Sequence, residues 1–240
     1  MKPLSLAILV PIFNESKILD QSLKQIQSLQ RHFSEWAIEV ILIDSGSSDD
    51  SQVIASRWTK TDGWKWVHIE DRPPSTGTAV KIGLAHSRSE ICLVLPVDTE
   101  LPPASLSQLQ TLITDKNVRC GGFTKQYSPQ TLLLIPYQWI QNVIRLRILR
   151  HTVWTNGIFF PTNEAPTISD QGFLEDVLLS DELRKRADWG VVNAPLIVSA
   201  RRYYPNRTLR RMLLNLFVMF CFRSRIAGPA KLKRLYLSLK

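Results

Sequence analysis

Three carboxylates stand where aliphatic segments of the chain stop. Glu15, Asp44 and Asp98 each follow or end such a segment, and small or polar residues come next. A carboxylate can accept hydrogen bonds from the N–H groups of a nucleotide base. A carboxylate can also hold a divalent cation that neutralises a diphosphate. Together the three acids are typical of a site for a nucleoside diphosphate.

Apolar segments alternate with segments of helical spacing through the first half of the chain. Such alternation favours a parallel sheet with helices on both faces, which is an α/β fold. Ligands of these sheets bind outside the carboxyl ends of the strands, so Phe13, Glu15, Asp44 and Asp98 are predicted to converge on one crevice. The predicted strands are 6–13, 39–44, 64–70 and 90–95, and the predicted helices are 16–29, 48–58, 77–87 and one that begins at 102–103.

The pattern becomes irregular after Gly122, and it shows neither an internal repeat nor a low-complexity linker. We therefore expect a single domain over 1–240, with a nucleotide-binding half at 1–120 and an acceptor and catalytic half at 121–205. A basic helical segment at 206–240 completes it. The predicted helices of this part are 132–150, 173–186 and 208–222, and the predicted strands are 157–161 and 190–200.

Charge is distributed unevenly along the 240 residues. The net charge is +9, whereas residues 201–240 contain eleven Lys and Arg and no acidic residue. The first 200 residues therefore carry −2, the difference between +9 and +11. A strictly basic segment suggests an anionic partner such as a membrane surface or a phosphate-bearing substrate, although solvated helix faces explain it equally well. The segment is a candidate for peripheral membrane contact, and we expect no nucleic-acid partner.

Signals for export or for membrane insertion are weak. The apolar run at the N-terminus is closed at once by polar residues, which favours a strand over a signal peptide. The run at 212–222 is shorter than the roughly 20 residues that span a bilayer, so it predicts a packed helix or one that lies in a membrane interface. Cys92, Cys120 and Cys221 are far apart, which favours a reducing compartment. We expect a cytoplasmic protein, with peripheral contact at the inner face of the membrane as the alternative.

Other common α/β chemistries lack their motifs. The turn after the first strand contains no glycine, so it fits neither a G-x-G-x-x-G dinucleotide site nor a P-loop. No G-x-S-x-G elbow of a serine hydrolase is present. The four histidines are scattered and have no metal-ligand spacing.

At this point the chain resembles the family 2 glycosyltransferases, which have the GT-A fold. The resemblance covers roughly residues 5–200 and is carried, in order, by ILVPIFNES, VILIDSGSSDDS, GTAVKIGLAHSRSEICLVLPVDTELP and FLEDVLLSDELRKR. The later stretch VSARRYY, followed by RTLRRMLLN, is similar to a small bacterial subgroup without membrane spans, the selenium-domain-associated transferases. The family resemblance implies transfer of a sugar from a nucleoside diphosphate donor with inversion at the anomeric carbon.

The resemblance also implies a role for each matching residue. Asp176, beside Glu175, would be the catalytic base that takes the proton of an acceptor hydroxyl. Asp44 would bind the base of the donor, commonly uracil, and Asp98 would hold the divalent cation. The donor site would consist of Pro11, Phe13, Glu15, Asp44, Gly46, Gly77, Lys81, Arg201 and Arg202.

One departure from the family pattern concerns the metal. Pro96 replaces the first aspartate of the D-x-D motif, so Asp98 alone remains to hold Mn²⁺ or Mg²⁺, and substrate phosphates would have to supply further ligands. Two alternatives stay open. A nucleotidyltransferase shares the fold style but usually has a Gly-rich basic loop after the first strand. A catalytically altered protein of the same fold would bind a nucleotide or a membrane without transferring a sugar.

Overall fold

An eight-stranded sheet forms the centre of the structure, a computed structural model that describes residues 4–70, 73–169, 172–203 and 208–238. Helices cover both faces of this sheet. The strands are β1 (Ser5–Ile12), β2 (Ala37–Asp44), β3 (Trp64–His68), β4 (Ile91–Val94), β5 (Thr99–Glu100), β6 (Cys120–Ser128), β7 (Ile158–Pro161) and β8 (Trp189–Ser199). The α-helices are α1 (Ser16–His32), α2 (Ser51–Trp58), α3 (Thr76–His86), α4 (Pro103–Lys116), α5 (Leu134–Trp139), α6 (Glu175–Leu183), α7 (Thr208–Arg223) and α8 (Pro229–Ser238).

The sheet has the strand order β3-β2-β1-β4-β7-β6-β8-β5. Its first four strands are parallel, and their register sets Ile12 opposite Asp44 and Asp44 opposite His68. In the other half, β7 is antiparallel to β4 and β6, whereas β8 is parallel to β6 and antiparallel to β5. The predicted α/β fold class is confirmed, and the parallel arrangement is confined mainly to the first half.

The two faces of β1 are covered by different helices because successive side chains of a strand point to opposite faces. Leu6, Ile8 and Val10 pack in one cluster with residues of α1, α2 and α4. Ala7 and Leu9 pack in the other cluster with residues of α3 and α6. This burial on both faces explains why the strand is a continuous aliphatic run. It also fixes where β1 ends along the sheet.

Several elements of the second half differ from their predictions. The strand β6 was not predicted, because its sequence combines Gly121 and Gly122 with polar side chains. The predicted helix at 132–150 is α5 followed directly by a π-helix, Ile140–Ile148. The predicted helix at 173–186 is shortened to α6, because Leu174 has a positive φ of 56° and interrupts it. In the first half, the short strand β5 was also missed, and α8 had no predicted bounds of its own within the basic helical segment at 206–240.

Candidate active site

A cavity of about 600 Å³ opens beyond the carboxyl ends of β1 and β4 and extends to α6 and α7. A more open pocket, which far fewer residues line and which we call the smaller pocket, adjoins it, and Phe13 lines both. Gly46 lines the smaller pocket. The residues predicted from the sequence that line the large cavity are Pro11, Phe13, Glu15, Asp98, Glu175 and Asp176.

Asp44 ends β2 with a fully buried carboxylate. Its Oδ1 atom accepts hydrogen bonds from the backbone N–H groups of Gly46 (3.0 Å) and Ser47 (2.9 Å) and lies 3.1 Å from Nδ1 of His68. Its Oδ2 atom is buried and has no hydrogen-bond partner among the described residues. Its contacts Gly46 and His68 line the smaller pocket, whereas Asp44 itself is buried behind them and lines neither pocket.

The guanidinium of Arg201 contacts the carboxylates of Glu15 and Asp98, although the three residues are distant in sequence. The Nη2 atom of Arg201 donates to both carboxylate oxygens of Glu15, at 2.7 Å for Oε2, and lies 3.4 Å from Oδ2 of Asp98. The hydrogen bond to Glu15 raises the pKa of Arg201, so the guanidinium stays charged. The side chain of Asp98 is 4% exposed. The side chain of Arg202, also expected at the donor site, lies outside the described residues.

Glu175 joins the start of α6 to the start of α3. Its carboxylate, in a residue that is 4% exposed, accepts hydrogen bonds from Ser75 Oγ (2.5 Å), Gly77 N–H (2.7 Å) and Gly172 N–H (2.7 Å). A Cβ atom on Gly77 would lie 2.6 Å from Cδ of Glu175 and 2.3 Å from the Ser169 carbonyl oxygen. The contact therefore requires glycine at position 77, and it occupies both carboxylate oxygens of Glu175.

Asp176, the next residue, has a different environment. Its carboxylate is half-buried on the cavity wall and accepts hydrogen bonds from Trp154 N–H (3.3 Å) and from Val177 N–H (2.8 Å). Burial raises the pKa of Asp176, and the positive charge of Arg145 opposes the shift only in part. A carboxyl with a raised pKa is a better proton acceptor than an ordinary aspartate once it is ionised.

Two cations of the cavity wall were not predicted. Lys125 of β6 is 2% exposed, and Arg145 of the π-helix is half-buried beside it. Lys125 lies on the same face of β6 as the buried Tyr127, because alternate residues share a face and the Nζ atom lies 5.6 Å from the centre of the Tyr127 ring. That alternation is the signal in the sequence that could have located Lys125.

Lys81 is exposed on α3 and is not among the residues that line either pocket. Its expected contact with the donor stays a prediction, as do the other residue roles.

The carboxylates of the large cavity fit a cation that arrives with its substrate. Within the described ranges, no group of three or more His, Cys, Asp or Glu side chains is arranged to hold a metal ion. Mg²⁺ is typically bound by one or two protein carboxylates together with substrate phosphates. Asp98 and Glu15, which both lie beside the guanidinium of Arg201, supply two carboxylates.

A largely parallel sheet with helices on both faces is also the architecture of the similar solved structures, which are GT-A glycosyltransferases. The match to the model of Glycosyl transferase family 2 over residues 7–165 agrees, and the chain belongs to that family. The predicted family is thereby confirmed.

Three known proteins illustrate the similarity. Mouse dolichyl-phosphate beta-glucosyltransferase is 30% identical over 130 residues, which are 49% of this chain and 40% of that enzyme. Staphylococcus aureus TarS 1–349 in complex with UDP has a TM-score of 0.65 at 14% identity, over 90% of this chain and 65% of that one. Glucosyl-3-phosphoglycerate synthase of Mycobacterium tuberculosis, in complex with Mn²⁺, UDP and glucosyl-3-phosphoglycerate, has a TM-score of 0.62 at 17% identity. The match covers 93% of this chain and 81% of that one. The chain spans well under half the length of the curated relatives it matches.

None of the helices in the described parts of the chain has the length and apolar character required to cross a membrane.

The neighbouring acids Glu175 and Asp176 should respond differently when each is replaced by its amide. Glu175→Gln loses charge-assisted hydrogen bonds, so the free energy of unfolding should fall by about 1.5–3 kcal/mol. Asp176→Asn removes a carboxylate whose burial cost offsets its attraction to Arg145, so the free energy of unfolding should fall by less. Urea denaturation of both variants measures the difference. Equal losses in the two variants would contradict the distinct roles of the two acids.

Proposed function

We propose that this protein transfers a sugar from a nucleoside diphosphate donor, a UDP-sugar, to an acceptor hydroxyl. The transfer inverts the configuration at the anomeric carbon. The observation that carries the proposal is that Asp176 faces the same cavity as Glu15 and Asp98. The two similar solved structures described above contain UDP, and one also contains Mn²⁺, which supports a nucleotide donor. Membership of the selenium-domain-associated subgroup stays a prediction supported by the motifs alone.

The donor base would occupy the smaller pocket. The Oδ2 atom of Asp44, buried behind this pocket and without a partner among the described residues, would accept the imide N–H of uracil. Phe13, 44% exposed between the two pockets, can pack against the base or ribose. Gly46 has a φ of 77°, and it forms part of the pocket wall with its backbone alone, because it has no side chain. These features support the uridine assignment because they combine one acceptor with one apolar surface.

The diphosphate would lie in the large cavity near Asp98. A divalent cation bound by Asp98 and the phosphate oxygens would neutralise the charge that develops on the leaving group. Arg201 is held beside Asp98 by Glu15 and can add a second positive charge there. Such fixed charges stabilise a leaving diphosphate without reorganisation at the moment of reaction.

Asp176 would act as the general base. As the acceptor oxygen attacks the anomeric carbon, Asp176 takes the hydroxyl proton, the bond from the anomeric carbon to the diphosphate oxygen breaks, and the diphosphate leaves with the electron pair. A single displacement of this kind inverts the anomeric configuration. The half-buried position and raised pKa of Asp176 support this role over that of Glu175, whose oxygens are already occupied.

Calorimetry of UDP binding, with and without Mn²⁺, should separate Asp44 from Asp98. Asp44→Asn keeps the Oδ1 acceptor for Gly46 and turns an amide toward the imide N–H of uracil. UDP affinity should therefore fall by about ten- to a hundredfold in either condition. Asp98→Asn should instead remove only the gain in affinity that Mn²⁺ provides.

Asp62→Asn is the matched control, because Asp62 is an exposed carboxylate that lines neither pocket. It should bind UDP like the wild type. Unchanged affinity in Asp44→Asn would exclude Asp44 from the base site. Wild-type affinity that does not respond to Mn²⁺ or EDTA would exclude the metal assignment.

Transfer kinetics test the base. A panel of UDP-sugars is first screened for UDP release, and the anomeric configuration of the product is read by NMR. Asp176→Asn should reduce transfer by at least about a hundredfold while donor affinity stays within about twofold, because a general base acts on the acceptor. In the wild type, the rate should fall as the pH drops through the raised pKa of Asp176, because the protonated acid accepts no proton.

Three outcomes would contradict this mechanism. Wild-type transfer by a folded Asp176→Asn variant excludes the base. Release of pyrophosphate from a nucleoside triphosphate and a sugar phosphate identifies the alternative, a nucleotidyltransferase. UDP binding without transfer from any donor supports the catalytically altered alternative.

Peripheral membrane contact remains a prediction supported by α7. Leu213, Phe217 and Phe220 are about half exposed or more and recur at helical spacing, in a segment that is strictly basic. Phe217→Asp should therefore weaken flotation with phosphatidylglycerol vesicles, whereas Val53→Asp, an equally exposed site on α2, should not. Equal flotation of both variants, or no binding by the wild type, would contradict membrane contact through α7.

A further inference from the structure

One corner of the large cavity has an excess of positive charge that the proposed donor site does not use. We call Lys125 and Arg145, with the space they face, the basic corner. Asp176 is the acidic neighbour of both, whereas the oxygens of Glu175 are directed at Ser75, Gly77 and Gly172. Two cations therefore share one carboxylate.

Arg145 is held in place by neutral partners. Its Nε atom donates to Nδ1 of His151 (3.0 Å), and its Nη1 atom donates to Oε1 of Gln141 (2.8 Å). Burial and the charge of Arg145 lower the pKa of His151 to about 2, so His151 is neutral at physiological pH. Neither partner offsets the guanidinium charge, and both fix its direction.

Lys125 is buried with only neutral groups in direct contact. Its Nζ atom donates to Oγ1 of Thr155 (2.9 Å) and lies 5.6 Å from the centre of the Tyr127 ring, and Asn142 bonds both its backbone N–H and its backbone carbonyl. Burial and then Arg145 lower the pKa of Lys125 to about 7, and Asp176 opposes them. The other titratable or charged side chains that line the cavity near this corner are Tyr137, Tyr203, Glu175 and Arg211.

We propose that Lys125 and Arg145 bind an anionic group of the acceptor, a phosphate or a carboxylate, and so place the acceptor hydroxyl beside Asp176. Burial of the Lys125 ammonium beside the Arg145 guanidinium costs free energy, because the charge is desolvated and the two cations repel each other. An anion bound between them would offset this cost. The inference rests on the proposed function, because it assigns the second substrate of the same cavity. The donor diphosphate has its own charged partners, Asp98 with its cation and Arg201, so the basic corner is left for the acceptor.

Calorimetric titration with inorganic sulfate tests the proposal, because sulfate stays a dianion across the neutral range. The protein is saturated with UDP and Mn²⁺ and titrated at pH 7 in two buffers of different ionisation enthalpy. We expect sulfate to bind without displacing UDP and with uptake of up to about half a proton, because the anion raises the pKa of Lys125 from about 7. Affinity should weaken as the pH rises above that value.

Two variants separate charge from structure. Lys125→Met should weaken sulfate binding at least about tenfold and leave UDP affinity unchanged. Lys125→Arg keeps the charge at every pH, so sulfate binding should persist while proton uptake disappears. Lys116→Met removes an exposed lysine at the end of α4 and should change neither quantity.

The remaining outcomes decide against the proposal. Competition between sulfate and UDP would assign the basic corner to the donor diphosphate. Proton uptake that persists in Lys125→Arg would assign the titration to another group, such as Asp176. Absence of sulfate binding by a wild-type protein that binds UDP overturns the anion subsite and leaves the proposed function standing, whereas failure to bind UDP counts against the proposed function itself.

Discussion

The contact between Glu175 and the first turn of α3 is the constraint on which the rest of the site depends. It joins a helix of the second half of the chain to a helix of the first half, 98 residues earlier in sequence at Gly77. The carboxylate accepts N–H groups at a helix start, where the backbone donors have no partner within the helix. Because the contact is buried and charge-assisted, it fixes α6 in position and orientation.

The same contact explains why two adjacent acids differ so much. Along a helix, successive side chains point about 100° apart, so Glu175 directed at α3 leaves Asp176 directed at the cavity. Both oxygens of Glu175 accept hydrogen bonds from the α3 side, whereas Asp176 accepts only from two backbone N–H groups and has a raised pKa. A structural acid therefore supports the orientation of the acid that we propose to be catalytic.

The change of strand direction between β4 and β7 shapes the cavity. On one side, the parallel strands end at a common level and present Glu15 and Asp98. On the other side, β6 runs next to β7 and β8 and brings Lys125 to the same cavity from a different direction. The cavity wall is thus acidic near the proposed donor and basic near the proposed acceptor, an arrangement that suits two substrates of different charge distribution.

The sequence by itself determined the parallel half of the sheet and the level at which its acids lie, because hydrophobic periodicity and strand ends are local properties. It also determined the family, through motifs that lie within short segments. It could not locate β6, whose glycines and polar residues are buried by pairing with strands from distant parts of the chain. The burial of Lys125 and the division of labour between Glu175 and Asp176 likewise follow from contacts between residues far apart in sequence. Only the tertiary structure decided them, because the environment of a charge depends on what packs around it and not on its neighbours along the chain.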